Sequence, residues 1–138
     1  MATIAKGSFT VKMTPQAWSG DSGESAEAQL LGRFLVEKQY HGDLEASAIA
    51  QMLTAGSAEK GSAGYVAIEK VTGKLQGRPG SFAMQHNGVM NRGVPQLTIA
   101  VVPDSGEGEL TGLAGCMTIQ IADGQHSYEF AYTLATIQ

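Results

Sequence analysis

A chain of 138 residues, 43% hydrophobic and only 16% charged, can bury a core of its own and reads as one globular domain, 1–138. Its formal net charge of −4 comes without a concentrated basic block, and no run approaches the roughly 18 apolar residues of a membrane helix, so neither nucleic acid nor membrane is expected as a partner. The amino terminus lacks an apolar signal core, and the single Cys116 has neither a disulfide partner nor zinc-like spacing, which points to a reducing cytoplasm with no metal and no cofactor.

Along the chain, Gly7 to Met13 alternate with Phe9, Val11 and Met13 on one side, predicting a first strand that ends before Thr14-Pro15. The following segment is polar, and Trp18, its one large apolar group, reads as a lid over a core. Residues 24–34 contain good helix formers, with Asp21 and Glu24 spaced as a capping box. The alternation that follows decides for a strand over a helical turn: Phe34, Val36, Lys38 and Tyr40 stand against Leu35, Glu37 and Gln39. After a turn at His41-Gly42-Asp43, Leu44, Ala46, Ala48, Ala50 and Met52 share a face whose small residues imply tight curvature or a crowded interior.

Beyond Glu59-Lys60-Gly61, the stretch Tyr65 to Gly88 predicts two long strands joined by a tight turn. With Gly77-Arg78-Pro79-Gly80 as that turn, Gln76 faces Ser81, and Glu69, Val71, Leu75, Phe82, Met84 and His86 share the inward face. Val66, Ile68, Lys70 and Gln85 fall on the outer one. A strand from Val94 to Val102 is stopped by Pro103, and a glycine-rich connection leads to Cys116–Ala122. Asp123-Gly124 then turns the chain into a last strand, Ser127 to Thr136, with Tyr128, Phe130, Tyr132 and Leu134 on one side. About eight regularly spaced strands predict an all-β, antiparallel, closed barrel, a size that either fills itself with side chains or holds one small ligand.

The run YVAIEKVTGKLQGRPGSFAMQHNG, with YHGDLEA before it and VVPDSGEGELTGLAG after it, resembles a bacterial family of uncharacterised proteins, a domain-of-unknown-function group. The matching positions are Gly42-Asp43, Glu69, Val71-Thr72-Gly73, Gly80-Ser81-Phe82, Gln85-His86 and Gly106-x-Gly108-Glu109-Leu110; the chain departs from the pattern around Trp18. The resemblance implies an allene oxide cyclase-like β-barrel and carries no reaction with it, because fold does not transmit function.

The candidate chemistry is Glu69 with His86, an acid and an imidazole in an apolar interior, joined on the same face by the Tyr65 hydroxyl. The first reading is a barrel that binds a small, mainly apolar molecule through Glu69, His86 and Tyr65. An isomerase- or cyclase-type enzyme using Glu69 and His86 as acid and base is the alternative, and a structural barrel with a filled core is the third. His41, Asp43 and Glu45 share a face at period two but lack a fourth metal ligand. Cys116 reads as a packed thiol, and the loop Gly106 to Gly115 lacks the lysine and helix of a phosphate cradle. Outward Val66, Ile68, Val102 and Ala131 predict a homodimer or homotrimer.

Overall fold

The computed structural model describes residues 2–17 and 30–135. Trp18, the Asp21/Glu24 capping pair and the first part of the helix-or-strand segment lie outside the described residues.

Eight long strands and one short one follow in order: β1 (Thr3–Gln16), β2 (Leu31–Gly42), β3 (Leu44–Ala55), β4 (Ala63–Leu75), β5 (Arg78–Asn91), β6 (Val94–Val101), β7 (Glu107–Gly108), β8 (Leu113–Ala122) and β9 (Gln125–Leu134). The long strands pair antiparallel around a ring, β1-β2-β3-β4-β5-β6-β8-β9, and β9 returns to β1. This is a closed all-β barrel, and among the described residues it contains no helix. Closure removes most of the strand edge; what stays open is β1 beyond Phe9 and β6 outside its one pair with β8. The thinnest seam is β6–β8, a single residue pair, Ala100 with Cys116, and β7 pairs with β5 close to it.

Three hairpins turn on two residues with positive φ, Gln76-Gly77, Arg92-Gly93 and Asp123-Gly124. This turn type matches the twist of the flanking strands. The central hairpin therefore turns at Gln76-Gly77 and not at Gly77–Gly80, and Ser81 faces Thr72 where Gln76 was expected. The register moves by four residues, an even number, so every side chain keeps the face predicted for it. Gln76 is held in its uncommon conformation by its N–H, which donates to the Asp43 carbonyl at 2.7 Å, and by its side-chain oxygen, which accepts from the Tyr132 hydroxyl.

One boundary and one side chain's burial also differ. β1 continues through Pro15 to Gln16, because beyond Phe9 it has β2 on one side and no partner from β9, and a proline is tolerated on such an edge. Cys116 is exposed, contrary to the packed thiol expected. Alternation turns Leu113 and Met117 inward on β8 and leaves Cys116 facing out.

The two ends of the barrel are unlike. At the end holding the β2–β3 and β4–β5 turns, Leu44, Leu75, Phe82, Leu113, Phe130 and Tyr132 fill the interior, with Phe82 and Phe130 stacked at 5.8 Å. Leu110, from the glycine-rich connection, closes this end and is buried. Gly106 permits that approach, since a Cβ there would stand 1.9 Å from the Leu110 carbonyl oxygen. Toward the opposite end, where the Arg92-Gly93 and Asp123-Gly124 turns lie, the packing gives way to cavities.

Candidate functional site

Where the filled half meets the hollow half, four polar side chains converge. Val36, Ala50, Glu69 and Met84 lie in one row across β2 to β5, and the next row carries Met52, Ala67 and His86. Lys38 and Tyr40 come from β2, two strands away from Glu69 on β4, a separation of about 9–10 Å. The intervening strand presents Ala46, Ala48 and Ala50, and their single methyl groups leave room for the two long β2 side chains to cross to Glu69.

Glu69 is fully buried and accepts three hydrogen bonds. Its Oε1 accepts from His86 Nε2 at 2.7 Å and from Lys38 Nζ at 3.0 Å, and its Oε2 accepts from the Tyr40 hydroxyl. Lys38 Nζ also lies 3.5 Å from the Tyr40 oxygen and 5.3 Å from the centroid of the Phe9 ring. Burial pushes the Glu69 carboxyl upward, but the His86 hydrogen bond, the Lys38 charge and the Tyr40 hydrogen bond outweigh it and hold the group below its ordinary value of 4.5. Glu69 is therefore a carboxylate at neutral pH. The Tyr40 phenol is pushed well above 10.0, first by burial and then by the Glu69 charge and hydrogen bond.

The ionised carboxylate fixes the histidine. Because Glu69 can only accept, His86 Nε2 carries the proton, and in the neutral ring Nδ1 is a bare acceptor. Nδ1 has no hydrogen-bond partner among the described residues and is not sealed from solvent. It faces a cavity of about 180 Å³ whose walls include Phe9, Val36, Lys38, Met52, Tyr65 and His86. An apolar cavity of about 150 Å³ accommodates benzene, so this one matches a molecule of roughly ring size in volume.

Of the three residues singled out in the sequence, His86 and Tyr65 line the cavity and Glu69 lies buried behind them. Glu69 has its oxygens spent on His86, Lys38 and Tyr40 and meets the cavity only through them. Tyr65 sits beside His86 with ring centroids 6.3 Å apart, and among the described residues its hydroxyl bonds to neither Glu69 nor His86. Burial, then the Glu69 charge, raises its phenol. Lys38 and Tyr40 are the members that sequence reading missed. The signal was a lysine on the same strand face as Val36 and Tyr40, an uncommon place for a charge without a buried partner.

His41, Asp43 and Glu45 are otherwise engaged. The Asp43 carboxylate accepts the Lys6 N–H at 2.9 Å, Glu45 accepts the Gly42 N–H at 2.8 Å, and His41 stands 3.6 Å from Glu45. Among the described residues no group of three or more His, Cys, Asp or Glu side chains is placed to hold a metal.

Fold and site together define a small closed β-barrel, packed at one end and hollow at the other, with a buried ionic cluster between the halves. The chain belongs to the family described as protein of unknown function (DUF3224), whose model matches residues 5–132. It is similar to a DUF3224 protein of unknown function from Shewanella oneidensis MR-1, solved by crystallography, with 48% identity and a TM-score of 0.88 over 99% of this chain and 100% of that one. No curated protein matches the chain.

Proposed function

We propose that the barrel binds one small, mainly apolar molecule in the cavity above the cluster, with His86 Nδ1 as its hydrogen-bond acceptor. The observation carrying this reading is the asymmetry of His86: one ring nitrogen is locked to a buried carboxylate and the other opens onto an apolar-walled space. Glu69, Lys38 and Tyr40 act as positioning residues that set the tautomer and hold the ring. Phenol is a suitable probe, a ring-sized body carrying one donor. On titration it should move the His86 Nδ1 nitrogen resonance, and His86→Gln should weaken binding about fivefold, the worth of one ordinary hydrogen bond. If the resonance stays fixed and native mass spectrometry of the purified protein shows only the bare chain, the barrel is a structural one and the proposal fails.

A second reading uses the same geometry for isomerisation. Nδ1 would remove a proton from the carbon beside a carbonyl, the electron pair would move to the oxygen beside the Lys38 ammonium, and His86 would return the proton. Such a step consumes no co-reactant. Its sign is protein-dependent deuterium exchange into cyclohexanone from heavy water, lost in His86→Gln; binding of phenol without any such exchange leaves the binding module alone.

We also propose that the chain self-associates through the outer face of β3 and β4, where Ile49 is 56% exposed, Val66 50% and Ile68 53%, with Leu53 beside them. Four apolar side chains this exposed on one face, with Gln51 and Lys70 set among them, are more than a small monomer ordinarily leaves wet. Of the other residues expected there, Val102 and Ala131 are half-buried, so the weight falls on β3 and β4. Light scattering at micromolar concentration should give a dimer or trimer, and Ile68→Lys a 14.4 kDa monomer. A parent protein of monomer mass would overturn the proposal.

A further inference from the structure

A second cavity of about 370 Å³ opens at the hollow end, walled by Met52, Ala63, Tyr65, Gly88, Met90 and Leu97 among others. Met52 and Tyr65 are walls of both cavities. The two are consecutive along the barrel, since the row Thr54, Tyr65, Gly88 and Leu97 lies directly above the row Met52, Ala67, His86 and Ile99. Gly88 decides how Tyr65 lies there. A Cβ at position 88 would stand 2.2 Å from Tyr65 Cε1, so only glycine lets that ring rest against the β5 backbone.

The two spaces differ in chemistry. The lower one is lined by Lys38, His86 and His126 among its apolar walls, whereas the walls of the upper one carry no charged group. The rim of the upper one leaves Met90 40% exposed and Leu97 43%, apolar surface gathered where a chain leaving the lower cavity would pass. Resting on the binding reading above, we infer that the ligand is elongated: a hydrogen-bonding head at His86 Nδ1 and an apolar chain that runs past Tyr65 into the upper groove. The class this fits is an alkylated ring or a medium-chain apolar molecule with a single donor at one end. Gly88 and Leu97 are then specificity residues for the chain, and His86 for the head.

Phenol and 4-pentylphenol, titrated by calorimetry against the full chain, separate the two claims. Each buried methylene is worth about fourfold in affinity. Burial of even two of the five methylene equivalents gives about a fifteenfold gain for the longer probe. Leu97→Glu, at a half-exposed position that tolerates a polar group, should abolish that gain and leave phenol affinity within about twofold of the parent. Gly88→Ala should also abolish it, by displacing the Tyr65 ring. If phenol binds and the alkyl chain adds nothing, or if both variants keep the gain, the elongated ligand is wrong while the head-group reading stands. If neither probe binds, the underlying reading falls and takes this one with it. A gain that shrinks as protein concentration rises assigns the groove to a second copy of the chain and overturns the inference.

Discussion

Replacing Glu69 by glutamine should lower the melting temperature by about 10 °C, the largest single-residue effect expected outside the packed end of the barrel. The substitution keeps the shape and removes the charge that three neighbours depend on. Lys38 Nζ, with only 9% of its side chain exposed, is left facing a neutral amide, and His86 and Tyr40 lose their ionic acceptor. Breaking a buried ion pair by removing one member costs about 3–5 kcal/mol, and the hollow beside Lys38 admits water, which places the cost near the lower value. At this chain length about 3 kcal/mol corresponds to about 10 °C. His86→Ala should cost less, since its loss leaves Glu69 still paired with Lys38 and Tyr40. The double variant should cost less than the sum of the two by about 0.5–3 kcal/mol, because both remove the same bond. Thermal unfolding followed by circular dichroism measures all three. A Glu69→Gln variant that melts with the parent would show that the cluster contributes nothing to the fold.

What the sequence disclosed, it disclosed through alternation. Leu44, Ala46, Ala48 and Ala50 on one face of β3, and Glu69, Val71, Phe82, Met84 and His86 on one face of the central hairpin, are read correctly because side-chain direction has a period of two. Turn position is a weaker signal. The Gly77–Gly80 motif competes with Gln76-Gly77, and the choice rests on how a two-residue turn matches the strand twist, which glutamine composition does not announce. The site was half legible for a different reason. Glu69 and His86 lie on adjacent strands of one hairpin, so local pairing brings them together. Lys38 and Tyr40 reach Glu69 across β3, a neighbour relation that follows only once the order β2-β3-β4 is known. The alanines of β3 are the remaining clue: they imply a crowded interior, and what crowds it is the two side chains from β2. Cys116 shows the opposite failure, an apolar-looking strand judged as a whole when one residue in two faces out.

Stability should fall at both ends of the pH scale, and Tyr40→Phe should flatten the alkaline limb. The folded Glu69 carboxyl lies below its ordinary value of 4.5, so its stabilisation is fully present above 4.5 and is lost as pH falls from there through the depressed folded value, where the unfolded chain binds the proton more readily. For Tyr40 the sign reverses. Burial, then Glu69, raises the folded phenol well above 10.0, so the native state keeps a proton that the unfolded state releases. That contribution is whole below 10.0 and drains away as pH rises above it, at about 1.4 kcal/mol per pH unit for the one proton. Tyr65 and Tyr128, both raised first by burial, add to the same limb. Tyr40→Phe leaves those two in place and removes one proton's share, and at neutral pH it costs about 1.5–3 kcal/mol, the worth of a hydrogen bond to a charged group. Urea unfolding midpoints across the alkaline range give the slope directly. Equal slopes for parent and variant would mean that Tyr40 ionises in the folded barrel as readily as in the unfolded chain, which a phenol buried against an ionised carboxylate does not do.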